Sequence, residues 1–228
     1  MLFKDEYQIQ FIMRHTIIIC ALSIISFQLS AGGNDYISAM QSSLIRYDSC
    51  QTAEDYRNLA NRFAIIAQAT EDSWYPSYYQ VHCLILGNFN SREDEATRDQ
   101  WLDVAQEVLD ELKEQAPGEV EIQVLQGMLH TSRLVIDAPN RGQRYGALSA
   151  QALGMAMGMD PLNPRARYMM LSNERGTAAF FGKDLTPYCE QARELLNEWD
   201  DGQVNENPFH PSWGKAQTEA IANSCKSK

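Results

Sequence analysis

The stretch Ala156-Met157-Gly158-Met159-Asp160-Pro161-Leu162-Asn163-Pro164-Arg165-Ala166 decides the fold of this chain. A helix is predicted to end at Asp160-Pro161, because proline lacks a backbone N–H and cannot continue a helix. A second helix is predicted to begin two or three residues later, with Asn163 as its cap and Pro164 in its first turn. Two helices joined by so short a turn are typical of the junction between helical hairpins in a repeat protein.

Helical periodicity extends over most of the remaining chain. Apolar residues recur at every third or fourth position, and no long stretch alternates apolar and polar residues as a strand does. Prolines and polar clusters divide this pattern into nine predicted helices, and we expect the segment 137–142 to be a turn-rich connection. The approximate bounds of the helices are 36–47, 53–69, 76–86, 95–115, 119–135, 145–159, 164–176, 185–200 and 212–224. They pair as four hairpins followed by one terminal helix.

The second helices of these hairpins share a register in which three small or apolar residues precede a proline. Two copies of this spacing are Ala105, Leu109, Leu112 and Pro117, and Ser149, Leu153, Ala156 and Pro161. The spacing resembles the tetratricopeptide motif, and the layout is similar to that of uncharacterised exported tetratricopeptide-like proteins of Gram-negative bacteria. The small residue that the motif places in its first helix is missing, since His82 and Gln126 stand there. The resemblance implies an all-α fold, a right-handed stack of helix-turn-helix hairpins with a C-terminal capping helix.

The N-terminus has the features of a secretory signal. An apolar run over residues 16–29 follows Arg14, and Ser30-Ala31-Gly32-Gly33 supplies the small residues of a cleavage site. We therefore interpret residues 1–33 as an upstream extension and signal peptide, with translation starting at Met13, and residues 34–228 as a single tetratricopeptide-like domain. A periplasmic or secreted location follows. The alternative is an N-terminal membrane anchor, although the apolar run is shorter than the roughly 20 residues that a membrane span needs.

The charge balance restricts the partners. The chain carries a net charge of −11 at pH 7, whereas binding to nucleic acid or to an anionic membrane surface needs a basic surface. We therefore expect no nucleic acid as a partner, and no membrane after signal cleavage.

The cysteines permit disulfides in an oxidising compartment. Without Cys20 in the leader, four cysteines remain, and these allow three pairings. Cys189 lies on the apolar stripe of the eighth helix and Cys225 ends the helix predicted to cover it, so Cys189–Cys225 is the favoured pair. A Cys50–Cys83 bridge and four free thiols are the alternatives.

The chain carries no recognisable catalytic motif. No serine elbow, phosphate-binding loop or pair of histidines with zinc spacing occurs, so we expect no enzyme activity, no metal site and no cofactor. The aromatic residues between Trp74 and Tyr79 fit either a recognition patch or core packing. The basic segment 140–145 fits an anion site, a cap of the sixth helix or ion pairs with neighbouring acids. Arg165 and Arg167 also fit structural ion pairs. We expect Gly154 and Gly158 to be points of close helix packing.

These observations predict an exported, non-catalytic scaffold that binds an unidentified protein or peptide. In such stacks the first helix of each hairpin lines the concave surface, and the candidate contact residues there are Tyr79, Gln123, His130 and Tyr168. One alternative is a small-ligand-binding protein, or an enzyme, with a pocket between the hairpins. Another is a purely structural protein of the cell envelope. A compact cavity lined by convergent polar groups favours the pocket, and an open, evenly lined groove favours the scaffold.

Overall fold

The structure is a computed structural model that describes residues 31–70, 72–199 and 207–225. Within these ranges every regular element is an α-helix, which confirms the all-α prediction. The helices are α1 Ala31–Tyr47, α2 Ala53–Gln68, α3 Tyr75–Phe89, α4 Glu95–Gln115, α5 Val120–Leu134, α6 Ala138–Met159, α7 Pro164–Phe180, α8 Thr186–Asn197 and α9 Lys215–Asn223. No helix in the described part of the chain is both long and apolar enough to cross a membrane. The predicted leader, apart from its last three residues, lies outside the described residues.

The chain divides into two compact units, residues 1–42 and 43–228. Of the first unit the structure describes residues 31–42, which form the first part of α1. The helix begins five residues earlier than the predicted start at Tyr36. The core, the cavity and the ion pairs described below belong to the second unit.

Side-chain caps determine where several helices begin. Thr52 and Asp55 form a reciprocal capping box at the start of α2. The Oδ1 atom of Asp94 accepts a hydrogen bond from the backbone N–H of Thr97 at 2.9 Å. Asn163 caps α7 in the predicted way, because its Oδ1 accepts from the backbone N–H of Ala166 at 2.9 Å.

The connection predicted at 137–142 is wrong, since α6 already begins at Ala138. Asp137 caps this helix, and Pro139 lies in its first turn, where a missing N–H costs nothing. Arg141 is fixed by Asp99 of α4, with Nη1–Oδ1 and Nη2–Oδ2 both 2.8 Å apart. The basic segment therefore lies within the helix, which Asp137 caps, and it forms ion pairs with acids, as one of its three interpretations predicted.

Neighbouring helices of the second unit pack in chain order, and the first helices of successive hairpins also meet. Helix α3 contacts α5, and α5 contacts α7, so these three helices lie side by side. Helices α2, α4, α6 and α8 pack against them, and α9 covers α8 at the C-terminal end. This arrangement agrees with a stack of hairpins closed by a capping helix, while the tetratricopeptide type of the repeat remains a prediction.

The predicted register places its residues in the core. Leu109, Leu112, Leu153 and Ala156 are all buried, as is Cys189 at the matching position of α8. Because corresponding residues of these helices all lie in the core, the same pattern of small and apolar residues recurs in each of them.

The glycine prediction is wrong, because a Cβ atom built on Gly154 or Gly158 meets no atom within 4 Å. The close approach occurs at Gly127 of α5, where such a Cβ would lie 2.6 Å from Cγ of Leu153 on α6. Only glycine allows these two helices to come so near.

The C-terminal end is closed by a disulfide. Cys189 and Cys225 are bonded, with Cα atoms 6.2 Å apart, which confirms the favoured pairing. Cys50 and Cys83 are free thiols. Between α7, α8 and α9, Leu171, Ala192, Leu195 and Ala222 form a small apolar core.

A buried ion pair joins the starts of α5 and α7. The carboxylate of Glu121 has no exposed surface and accepts from Nε and Nη2 of Arg165, each at 2.7 Å. It also accepts from Nδ2 of Asn163 at 2.7 Å. Arg167 pairs with Glu198 at 2.5 Å near the surface. Both arginines are therefore structural, as one interpretation of the sequence proposed.

Candidate functional site

A cavity of about 1130 Å³ opens beside α3, α5, α6 and α7. This volume slightly exceeds the upper end of the range of roughly 300–1,000 Å³ that is typical of small-molecule sites. Most of the lining is apolar, and it includes Leu86, Met128, Leu134, Met169 and Ala178. The cavity therefore suits a largely apolar molecule.

A polar network crosses one side of the cavity and joins three helices. Ser149 of α6 donates a hydrogen bond to the backbone oxygen of Gly127 at 2.8 Å. It accepts one from Nδ2 of Asn173 on α7, also at 2.8 Å. The Oγ1 atom of Thr131 on α5 donates to Oδ1 of Asn173 at 3.0 Å. Because these groups satisfy one another, this side of the cavity is held in one arrangement.

Four ring side chains line another side of the cavity: Tyr47, His82, Tyr168 and Trp213. The hydroxyl of Tyr47 lies 2.9 Å from Nδ1 of His82. The ring centroid of Trp213 lies 4.8 Å from that of His82 and 6.2 Å from that of Tyr168. Trp213 is held in place by its Nε1, which donates to the hydroxyl of Tyr78 at 2.8 Å. His82 is buried, whereas Tyr47, Tyr168 and Trp213 are half-buried and offer flat, rigid surfaces on which a planar molecule can stack.

This aromatic side carries no net charge at neutral pH. Burial lowers the pKa of His82 to about 3, and the nearby charge of Arg165 acts in the same direction. Burial raises the pKa of Tyr168, and raises that of Tyr47 well above its ordinary value. The Nε2 atom of His82 is buried and has no hydrogen-bond partner among the described residues. The same residues include no cluster of three or more His, Cys, Asp or Glu side chains that could hold a metal ion.

The mouth of the cavity is apolar and exposed. Phe180 and Phe181, at the end of α7, are 61% and 66% exposed, and both belong to the lining. Phe89 and Val135 continue this exposed apolar edge. The charged side chains of the lining are Glu174 and Lys183. Exposed apolar surface around a concave site is typical of a ligand or partner site.

The structure places one of the four candidate contact residues in this cavity. Tyr168 lines it. Tyr79 is buried, with its ring stacked on Phe63 at 5.3 Å between centroids. Gln123 and His130 are half-buried outside the lining, and Nε2 of His130 lies 3.1 Å from Nε2 of Gln126. Tyr79, Gln123 and His130 therefore do not join Tyr168 in one site.

The aromatic run at the start of α3 belongs to the core. Tyr75, Tyr78 and Tyr79 are buried and make ring contacts with one another or with Trp74. This confirms core packing rather than a recognition patch. The run still contributes to the cavity indirectly, because the hydroxyl of Tyr78 accepts the hydrogen bond that fixes the lining residue Trp213.

Sequence reasoning missed several residues of the site. Tyr47 and Trp213 come from the ends of the second unit and meet His82 only after folding. Phe180 and Phe181 were also missed, because a pair of adjacent aromatic residues on a helix does not by itself indicate exposure: Tyr78 and Tyr79 form such a pair and are both buried.

Comparison with known proteins gives one informative similarity. No protein-family model and no curated protein matches the chain. Among solved structures, the chain is similar to the HusA haemophore from Porphyromonas gingivalis, with a TM-score of 0.71 and 27% sequence identity. The match covers 84% of this chain and 92% of the haemophore.

Proposed function

We propose that this protein is an exported, non-catalytic carrier of a flat, largely apolar ligand of the haem type. The observation that carries the proposal is the cavity of about 1130 Å³ in a fold similar to that of a haemophore. A periplasmic or secreted location fits both the signal-like N-terminus and an extracytoplasmic carrier.

The lining supplies the contacts that a tetrapyrrole ring needs. Apolar side chains of α3, α5 and α6 surround the cavity, and Tyr168 and Trp213 provide ring faces at one side. Burial of apolar ligand surface contributes roughly 25 cal/mol per Å² before the costs of association. A large planar ring therefore gains more binding free energy in such a cavity than a small ligand does, because it buries more apolar surface.

The proposed binding depends on the ring rather than on a metal ligand. His82 is the histidine of the lining, but its Nε2 is buried and the ring of Trp213 lies against it. We therefore expect metal-free protoporphyrin to bind as well as haem does.

The pocket alternative is better supported than the protein-binding scaffold. The scaffold interpretation expected an open, evenly lined groove. The cavity instead brings together Tyr47, His82, Ser149, Asn173 and Trp213 from distant parts of the second unit. Convergent polar groups in one apolar cavity are typical of a small-molecule site.

The proposal is tested by titration of the purified chain with haem and with metal-free protoporphyrin. We expect a change in the Soret absorption of each ligand and quenching of tryptophan fluorescence, since Trp213 lines the cavity. Ala150 is an exposed lining residue of α6, and Ala150→Trp should fill part of the cavity and reduce binding of both ligands at least tenfold.

Ala96→Trp is the matched control, because Ala96 is an exposed helical alanine outside the lining. It should bind as the wild type does. Absence of saturable binding by the wild type, or equal loss in both variants, would refute the proposal.

A further inference from the structure

We propose that Lys183 recognises an anionic group at the edge of the ligand, so that the cavity selects a flat apolar ring that bears a carboxylate. This inference rests on the proposed function and specifies which ligands the same site accepts. It follows from the backbone at the end of α7, from the charges of the lining and from the absence of an ion-pair partner of Lys183 among the described residues.

The backbone fixes Lys183 at the mouth of the cavity. Gly182 has a φ of +65°, a conformation that glycine adopts readily and that ends α7. The N–H of Gly182 donates to the oxygen of Ala179 at 3.1 Å, and the N–H of Lys183 donates to the oxygen of Ala178 at 2.9 Å. These two bonds form a Schellman motif. Lys183 therefore follows the exposed Phe180 and Phe181 in a defined position, and it belongs to the lining.

Lys183 has no salt-bridge partner among the described residues, although the chain contains 30 acidic residues. The adjacent Asp184 is engaged elsewhere, since its Oδ1 accepts from the backbone N–H of Thr186 at 3.0 Å and from its hydroxyl at 2.8 Å. Some basic residues elsewhere, such as Arg141 and Arg165, are paired with acids, whereas Lys183 is the basic residue of the lining. A positive charge thus remains available at an otherwise apolar mouth.

The second charged residue of the lining, Glu174, is also exposed and disfavours a carboxylate beside it. Glu174 lies on α7 about two turns before its end, so a carboxylate near it would be repelled. A carboxylate near Lys183 would be attracted and would stay close to water, because Lys183 is exposed. An amphipathic ring would therefore enter with its apolar edge inward and its carboxylate at the mouth.

A ligand pair that differs only in charge tests the inference. Protoporphyrin IX carries two carboxylates, and its dimethyl ester carries none, while the ring is the same. We expect Lys183→Gln to weaken binding of the diacid about five- to tenfold, as a partly exposed charge-assisted contact would. Binding of the ester should change less than twofold. Both titrations use the same purified full-length chain in one buffer with a fixed fraction of dimethyl sulfoxide.

Two further variants control for charge and for folding. Lys183→Arg keeps the positive charge and should retain most of the affinity for the diacid. Arg92→Gln makes the same change in net charge at an exposed residue outside the lining, and it should bind both ligands as the wild type does. Thermal unfolding of each variant, followed by circular dichroism, verifies that the fold is intact.

The outcomes separate this inference from the proposed function. If the wild type binds both ligands, and Lys183→Gln affects them equally or not at all, the inference is overturned while the carrier function stands. If the wild type binds neither ligand, the proposed function fails and the inference fails with it. A selective loss of the diacid in Lys183→Gln alone supports both.

Discussion

Replacing Glu121 by glutamine should destabilise the protein strongly, because it leaves the guanidinium of Arg165 buried without its counter-charge. Glu121 has no exposed surface, and its carboxylate accepts three hydrogen bonds of 2.7 Å, two from Arg165 and one from Asn163. Breaking a buried ion pair by removing one partner costs about 3–5 kcal/mol. For a domain of this size, each kcal/mol shifts the melting temperature by roughly 2–4 °C. The melting temperature should therefore fall by about 6–20 °C.

The charge explanation makes a second prediction that a purely steric explanation does not. In the double variant Glu121→Leu with Arg165→Met, both charges are absent and two apolar side chains of similar volume take their place. Such replacements are often neutral or stabilising, so the double variant should recover most of the stability that Glu121→Gln loses.

The pair of Arg167 and Glu198, which is much more exposed than that of Glu121 and Arg165, is the matched control for this series. Their side chains are 26% and 58% exposed, and Arg167→Met should cost less than about 1 kcal/mol. Urea unfolding followed by circular dichroism measures all four proteins. If Glu121→Gln unfolds within about 1 kcal/mol of the wild type, the ion pair does not hold α5 and α7 together as argued.

The remaining predictions concern the core, the disulfide and pH. Gly127→Ala should lower stability by about 1–3 kcal/mol, because its Cβ would lie 2.6 Å from Leu153, and shortening that partner with Leu153→Ala should relieve the clash. Leu153→Asp should cost roughly 3 kcal/mol or more, since Leu153 is fully buried; wild-type-like thermal melting would show that the helical register is wrong. Replacing Cys189 and Cys225 by serine should cost about 2–4 kcal/mol, and peptide mapping without reduction should find this bridge in the wild type. The pKa of His82 is about 3 in the folded protein and near 6.5 when unfolded, so its contribution to stability is complete above pH 6.5 and is lost as the pH falls toward 3. Unfolding in urea at pH 7.5 and pH 5 should differ by about 2 kcal/mol more in the wild type than in His82→Gln, and an equal difference in both proteins would contradict the assignment.

The helices could be read from the sequence because their signals are local. Proline, capping residues and apolar spacing act within a few residues, and they predicted the junction around Asn163 and the bounds of α4. The start of α6 was missed because Pro139 and Gly142 are turn-forming residues in isolation, whereas Asp137 and the contact of Arg141 with Asp99 keep the segment helical. The intrinsic helix or turn propensity of single residues predicts helix bounds poorly where tertiary contacts favour another conformation.

Sequence alone determined the all-α class and the buried register of the second helices, since these follow from residue types at fixed spacings. It favoured the Cys189–Cys225 bridge but left two alternatives open, and the structure decided between them. Only the tertiary structure decided the site. It buried Tyr79 in the core and placed Tyr168 against Trp213, which lies 45 residues later in the chain. It also showed that the close helix contact is at Gly127 rather than at Gly154 or Gly158. A cavity depends on which helix faces meet and how closely, and these distances arise from packing between residues far apart in sequence, which no local pattern encodes.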